Sequence, residues 1–285
     1  MLKPKKKFGQ HYLCDESILD SIVQAAELQD EDFVWEIGPG TGNLTKHLIK
    51  HQINLIVFEI DQDLIPPLIT LLGERSIIVP EDILRTDWTK YLNFHQSSSP
   101  PPFIDGTDRF MQEKKIKIIT NLPFQISSPF LFQVVYYHQY FQTVIVMLQN
   151  EVAKRVCAVP GNKEYGVLSL KIQFYFRAEY LFCVSAEKFT PSPQVSSAVI
   201  KLIPRTDIPA LENYNFFWEI VETAFKQRRK TLKNNFKNGK TFIDKTLQPQ
   251  ADRCPIDLNR RGETLSEKEF IDLYYYYYPT NPSGK

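Results

Sequence analysis

Apolar residues along the chain follow two periods. Short unbroken runs at Phe33–Trp35, Leu55–Phe58, Ser76–Val79 and Ile116–Thr120 predict buried strands. Elsewhere the spacing is helical: Ile18, Leu19, Ile22 and Val23 share one face, behind an Asp15 placed to cap a first helix. Strand and helix patterns alternate to about Phe176, which predicts a parallel sheet. Leu181–Val184 and Val199–Ile203, separated by proline-marked turns, predict a closing hairpin. After Pro204 the helical period takes over, with helices expected over Phe216–Asn235, Asp257–Arg261 and Ser266 to about Tyr276. Ser266 with Glu269 three residues on has the form of a capping box. The division expected is therefore an α/β domain over 1–204, opening with a basic arm at 1–14, and a small all-helical domain over 205–285.

Composition narrows the class. A chain of 285 residues, 43% hydrophobic, has room for one α/β domain and a smaller companion, and is globular. No apolar run is long enough to span a bilayer, and the lysine-rich start lacks the apolar core of a signal peptide. Cys14, Cys157, Cys183 and Cys254 have no metal-ligand or redox spacing, so reduced thiols in the cytoplasm are expected. The net charge is only +1, so any RNA contact must come from local patches. One is the Lys3–Lys7 cluster. The other holds Lys226, Arg228, Arg229, Lys230, Lys233, Lys237 and Lys240, with no acid between Glu222 and Asp244. Charge runs are ordinarily solvated surface. This one is interleaved with Phe225 and Phe236, and it is expected to meet an RNA backbone, with Lys154 and Arg155 extending it.

Two segments carry chemistry. Asn121-Leu122-Pro123-Phe124 follows a buried strand and precedes Ser127-Ser128-Pro129, a helix start. The Asn oxygen and a neighbouring carbonyl can accept from an exocyclic amine, and Phe124 offers a face for a base. This points to transfer onto a nucleobase amino group, although alone it is equally a strand–turn–helix junction with a chance proline. Earlier, Glu36-Ile37-Gly38-Pro39-Gly40-Thr41-Gly42 joins a strand to Asn43-Leu44-Thr45, the next helix start. Its glycines permit a tight turn and close approach to a ligand. The third Gly comes two residues after the second, where a dinucleotide fingerprint needs three, which disfavours a dinucleotide oxidoreductase. The Glu36 carboxylate suits a cationic, amino-acid-bearing ligand better than a pyrophosphate. Glu59 ends the next strand, placed for both hydroxyls of a ribose, and Asp82 follows the third, placed for an adenine amino group. A lone acid after a strand is ordinarily a helix cap. Glu59, Asp82 and Asn121 on successive strand ends, beside a glycine turn, mark a ligand edge.

With these residues the chain resembles the ribosomal RNA adenine N6,N6-dimethyltransferases of the small-subunit type, from about Lys6 to about Leu273. Phe8-Gly9-Gln10-His11-Tyr12-Leu13 is similar to the family's opening FGQ-N/H-F-L. Glu36–Gly42 is similar to its methyl-donor loop and Asn121–Phe124 to its N-L-P-Y/F. Met147–Arg155 resembles its M-x-Q-x-E-V-A-x-R segment, and Phe189–Ser197 its F-x-P-x-P-x-V-x-S segment. The resemblance implies a Rossmann-like class I methyltransferase sheet with helices on both faces, plus a small C-terminal helical domain that grips RNA. It implies S-adenosylmethionine held by His11, Leu13, Gly38, Gly40, Glu59, Asp82 and Asn121, with Asn121, Leu122, Pro123 and Phe124 as the catalytic turn and no metal. The implied product is dimethyladenosine at two adjacent adenines in a hairpin loop near the 3′ end of 16S rRNA. The partner would be the immature small subunit, held through Lys226, Arg228, Arg229, Lys230 and Lys233 by a monomer without an obligate protein partner.

Departures from the family pattern are few. His11 stands where many relatives have Asn. Pro66-Pro67 falls within a family helix, which is expected to start late with the prolines in its first turn. Ser97–Asp108 reads as an insertion. Tyr274–Tyr278 is either a stacking surface for RNA or the end of the last amphipathic helix. Two rivals stay open: a 23S rRNA adenine methyltransferase of the macrolide-resistance type, and a non-catalytic assembly or transcription factor on the same fold. Arg260-Arg261-Gly262-Glu263 in a long helical tail favours the small-subunit type, and intact Gly38, Glu59, Asp82 and Asn121 favour catalysis.

Overall fold

A computed structural model describes Lys5 and residues 9–92, 115–237 and 254–278. The rest of the Lys3–Lys7 cluster, Phe8, the 97–108 insertion and Lys240 lie outside the described residues. The chain divides into two compact units, one of residues 1–153 with 175–204 and one of 154–174 with 205–285. The segment 154–174, expected in the first domain, thus groups with the second.

In the first unit, β1 (Tyr12–Leu13) pairs antiparallel with β8 (Phe189–Thr190) in a ribbon of its own. The main sheet contains β2 (Phe33–Ile37), β3 (Asn54–Phe58), β4 (Ser76–Val79), β5 (Ile116–Asn121), β6 (Phe141–Gln149), β7 (Phe176–Val184) and β9 (Ser197–Pro204), in the order β4-β3-β2-β5-β6-β9-β7. The five strands from β4 to β6 are parallel, as the alternating pattern predicts, and β9 and β7 close the sheet antiparallel. Both closing strands are longer than the expected hairpin, and β7 has an irregular register between Tyr180 and Phe182. Every residue of β2 is buried, the mark of a strand covered on both faces. Trp35 anchors one side of it, packed edge-on to Trp88 and tilted against Phe58.

Local chemistry sets the flanking helices. Asp15 accepts from the Ile18 N–H and starts the helix Glu16–Ala25, which buries Leu19, Ile22 and Val23. The helix Ile65–Leu71 carries Pro66 and Pro67 in its first turn, where their missing N–H groups cost nothing. The order reverses between β2 and β5: successive strands run outward from β2 to β4, then the chain returns to the other side of β2. Such a switch point leaves a crevice beyond the carboxyl ends of the two central strands.

The second unit is helical. Asn213 caps the helix Tyr214–Phe225 by accepting from the Phe216 N–H, and Ser266 and Glu269 form the expected capping box on the helix Glu267–Tyr277. Two expectations need correction. The helix expected over Phe216–Asn235 is two, ending at Phe225 and resuming at Leu232–Lys237. Asp257–Arg261 is a turn, in which the Asp257 carboxylate takes the Asn259 N–H, followed by a 3-10 turn over Gly262–Thr264. The tyrosine run is the end of the last helix, anchored through Tyr274: it is fully buried, stacks on Tyr278, and its hydroxyl accepts from the Asn213 N–H, while Tyr275 is exposed.

Candidate active site

The loops leaving the switch point line a cavity of about 250 Å³. His11, Leu13, Gly38, Gly40, Glu59, Asp82, Asn121, Leu122, Pro123 and Phe124 all line it, so positions separated by up to 113 residues of sequence converge on one hollow. Gly38 and Gly40 have φ of +64° and +58°, a region that side chains disfavour. A side chain on Gly40 would also meet the Tyr12 ring at 2.8 Å. The glycine turn is therefore both bent and bare, a cradle in which backbone approaches whatever fills the cavity.

Glu59 directly follows β3 and is almost wholly buried. Its two carboxylate oxygens accept from the Gly40 N–H (3.1 Å) and the Asp61 N–H (2.8 Å), and burial pushes its pKa up. Each oxygen keeps a lone pair for a further donor, as a ribose diol requires. Glu36 also lines the cavity. It is buried, takes a hydrogen bond from the Thr45 hydroxyl (2.8 Å), and burial pushes its pKa up to about 8. With no cation beside it among the described residues, burial thus favours the neutral acid. Asp82 does two things at once: Oδ1 accepts the Leu84 N–H at 3.0 Å, closing a turn, while the residue faces the cavity.

The catalytic turn is assembled at the end of β5. The Leu122 N–H reaches the Met147 carbonyl (3.3 Å) and the Leu122 side chain is buried, which anchors the turn in the sheet. The Pro123 and Phe124 carbonyls are taken by the Ile126 N–H and the Ser127 hydroxyl. Among the described residues no such turn bond takes the Leu122 carbonyl. The Asn121 amide nitrogen donates to the His11 carbonyl at 3.4 Å, which turns Oδ1 to the other side as an acceptor. Phe124, half-buried, lies against the His11 ring with centroids 5.8 Å apart and planes 27° from parallel. The His11 Nδ1 is 2.7 Å from the Pro191 carbonyl. Leu13, buried on β1, gives its carbonyl to the Asn43 amide at 2.7 Å.

Some cavity neighbours were given no role by the sequence reading. Lys5 pairs with Asp61 and Asp63, both at 2.5 Å, and Gln10 donates to Asp61 at 3.1 Å. Burial pushes the Asp61 carboxyl up, but the Lys5 and Gln10 hydrogen bonds prevail and hold it below the usual range. Asp61 thus fastens the arm to the strand end that carries Glu59. Gln10 lies in the FGQ motif, which was signal enough; Asp61 gave none. Phe189, also on the wall, sits in the F-x-P-x-P segment.

In the second unit Lys226, Arg229, Lys230 and Lys233 are exposed and, among the described residues, form no ion pair. Arg228 differs. Although partly exposed, its guanidinium donates to the Lys163 and Tyr165 carbonyls and to Glu263 at 3.3 Å, so it ties the unit together.

Comparison with known proteins gives a consistent answer. The family model described as ribosomal RNA adenine dimethylase matches residues 1–277. A ribosomal RNA small subunit methyltransferase A from Bacillus pumilus is 39% identical over 94% of this chain and 89% of its own length. One from Francisella tularensis subsp. novicida is 38% identical over 95% and 96%. Among solved structures, a dimethyladenosine transferase from Plasmodium falciparum superposes with a TM-score of 0.66 at 24% identity, covering 92% of this chain and 96% of that one. The 23S rRNA methyltransferase ErmE gives 0.62 at 20%, covering 93% and 99%. These two likenesses speak for the fold, a class I methyltransferase sheet. The nearly full-length model match and the relatives at 38–39% identity decide the matter: the chain belongs to the ribosomal RNA adenine dimethylase family.

Proposed function

We propose that the protein transfers methyl groups from S-adenosylmethionine to N6 of two adjacent adenosines near the 3′ end of small-subunit rRNA, acting on the immature small subunit. The observation that carries this reading is the placement of Asn121 in the same cavity as the glycine turn and Glu59, with its amide oriented by the His11 carbonyl. The bare backbone of Gly38 and Gly40, the Glu59 carboxylate and Asp82 fit the amino-acid, ribose and adenine parts of the donor. A bound sulfonium would supply an already activated methyl group, which N6 takes as a neutral thioether departs.

The chain's residues then have the remaining work. Phe124 gives an everted adenine a surface in place of its lost stack. Asn121 Oδ1 and the Leu122 carbonyl accept from the two N6 hydrogens, which holds the amine in line and favours a pyramidal nitrogen with its lone pair forward. A hydrogen bond that tightens as N6 gains positive charge lowers the barrier, as preorganised dipoles do elsewhere. The surplus proton leaves after attack, so no strong base is required. Lys226, Arg229, Lys230 and Lys233 offer charge to RNA phosphates, and Arg228 beside them also holds the fold through the Lys163 and Tyr165 carbonyls.

The test is incubation with labelled donor and unmethylated small subunits, followed by mapping of the modified nucleotides. Two dimethylated adjacent adenines are expected, and modification of large-subunit rRNA alone would favour the macrolide-resistance type. Asn121→Ala should lower turnover by roughly a hundredfold or more while donor binding is only weakened. Near-normal turnover in that variant would remove Asn121 from its role.

A further inference from the structure

His11 touches both working side chains of the catalytic turn. Its carbonyl takes the Asn121 amide and its ring lies nearly parallel to Phe124. The ring is itself held. A carbonyl oxygen offers only lone pairs, so the 2.7 Å contact with Pro191 requires the proton on Nδ1, which fixes both the tautomer and the plane of the imidazole. Pro191 directly follows β8, and β8 is paired with β1, which directly follows His11. Register of this small ribbon, Tyr12 against Thr190 and Leu13 against Phe189, therefore sets where the ring stands.

We propose that His11 is a positioning residue for the base-binding half of the site: pinned by Pro191, its ring fixes the plane of Phe124 on which the target adenine stacks. This rests on the function proposed above and deepens it, because a donor contact alone would need neither the ring nor the Pro191 bond. An aromatic ring free to tilt presents a purine with N6 out of line, and small misplacements of a reacting atom slow transfer steeply. An Asn at this position keeps a polar side chain while lacking the ring, so His11→Asn separates the two roles.

The experiment compares wild type, His11→Asn, His11→Phe, Phe124→Ala and the double variant His11→Asn/Phe124→Ala. Turnover is measured at saturating donor on unmethylated small subunits, and the dissociation constant of S-adenosylhomocysteine by calorimetry, which also reports that each variant is folded. His11→Asn is expected to bind S-adenosylhomocysteine within about twofold of wild type while turnover falls about tenfold. His11→Phe restores an aromatic ring and should recover at least about threefold of that loss. In the Phe124→Ala background, His11→Asn should cost little more, since the partner it steadies is gone. The inference is overturned if His11→Asn weakens S-adenosylhomocysteine binding without lowering saturated turnover, or if the two substitutions are additive. Failure of the wild-type protein to bind S-adenosylhomocysteine or to methylate the subunit is a different result, and removes the proposed function itself.

Discussion

Glu36 shows how strongly burial can act on a single residue of the site. Ahead of a glycine turn it reads as an anion for a cationic ligand, but β2 is buried along its whole length and takes Glu36 with it. The folded pKa of about 8 lies above the ordinary 4.5. Below about 4.5 both folded and unfolded chains are protonated and the full contribution to stability is present. Between about 4.5 and 8 only the unfolded chain ionises, so this contribution drains away as pH rises. Glu36→Gln stays neutral throughout. Its stability in urea should gain on wild type steadily from pH 5 to 8; a gap that does not widen with pH would place the charge on Glu36 after all. Burial raises Glu59 in the same direction, and the comparison at fixed Glu59 separates the two.

At the scale of elements, what could be read from sequence was what neighbours along the chain decide. Asp15, Ser266 with Glu269, and the prolines at 66 and 67 act within a turn of where they stand, and the structure uses each as its chemistry suggests. The strand ends bearing Glu59, Asp82 and Asn121 were legible for the same reason. The break between Phe225 and Leu232 was not, because Lys226–Thr231 holds no Gly or Pro to mark it. It is made from a distance: buried Asn235 donates to the Ala224 carbonyl (2.8 Å) and the Gln227 carbonyl (3.3 Å), holding the chain in a turn. The structural bonds of Arg228 were not legible because its carbonyl partners at Lys163 and Tyr165 lie more than sixty residues away in sequence. Gly262 completes this corner, since a methyl group there would come within 2.8 Å of the Ala224 carbonyl oxygen, a backbone atom that cannot swing aside. Gly262→Ala should therefore cost about 1–3 kcal/mol in urea unfolding. A variant of wild-type stability would show that the turn yields freely.

For the whole molecule the net charge of +1 hides local asymmetry. Reversing Arg229, Lys230 and Lys233 to Glu, with Arg228 left in place to keep the fold, should weaken binding to the small subunit. It should also flatten the dependence of log affinity on log salt, because fewer counterions are released per complex. An unchanged slope would return the patch to ordinary solvated surface. Using Arg228 in the same test would confuse loss of RNA contact with loss of structure.

The pairing of β1 with β8 has a consequence in time. A protein emerges from its own ribosome amino end first. His11 appears early, yet the carbonyl that orients it belongs to a residue 180 positions later. Until that stretch has been translated, the glycine turn and Asn121 can be in place while the opening segment, though fastened at Asp61, lacks its strand partner and the carbonyl that pins the His11 ring. Methylating competence should accordingly switch on late and abruptly in the growing polypeptide, after most of the sheet is already built.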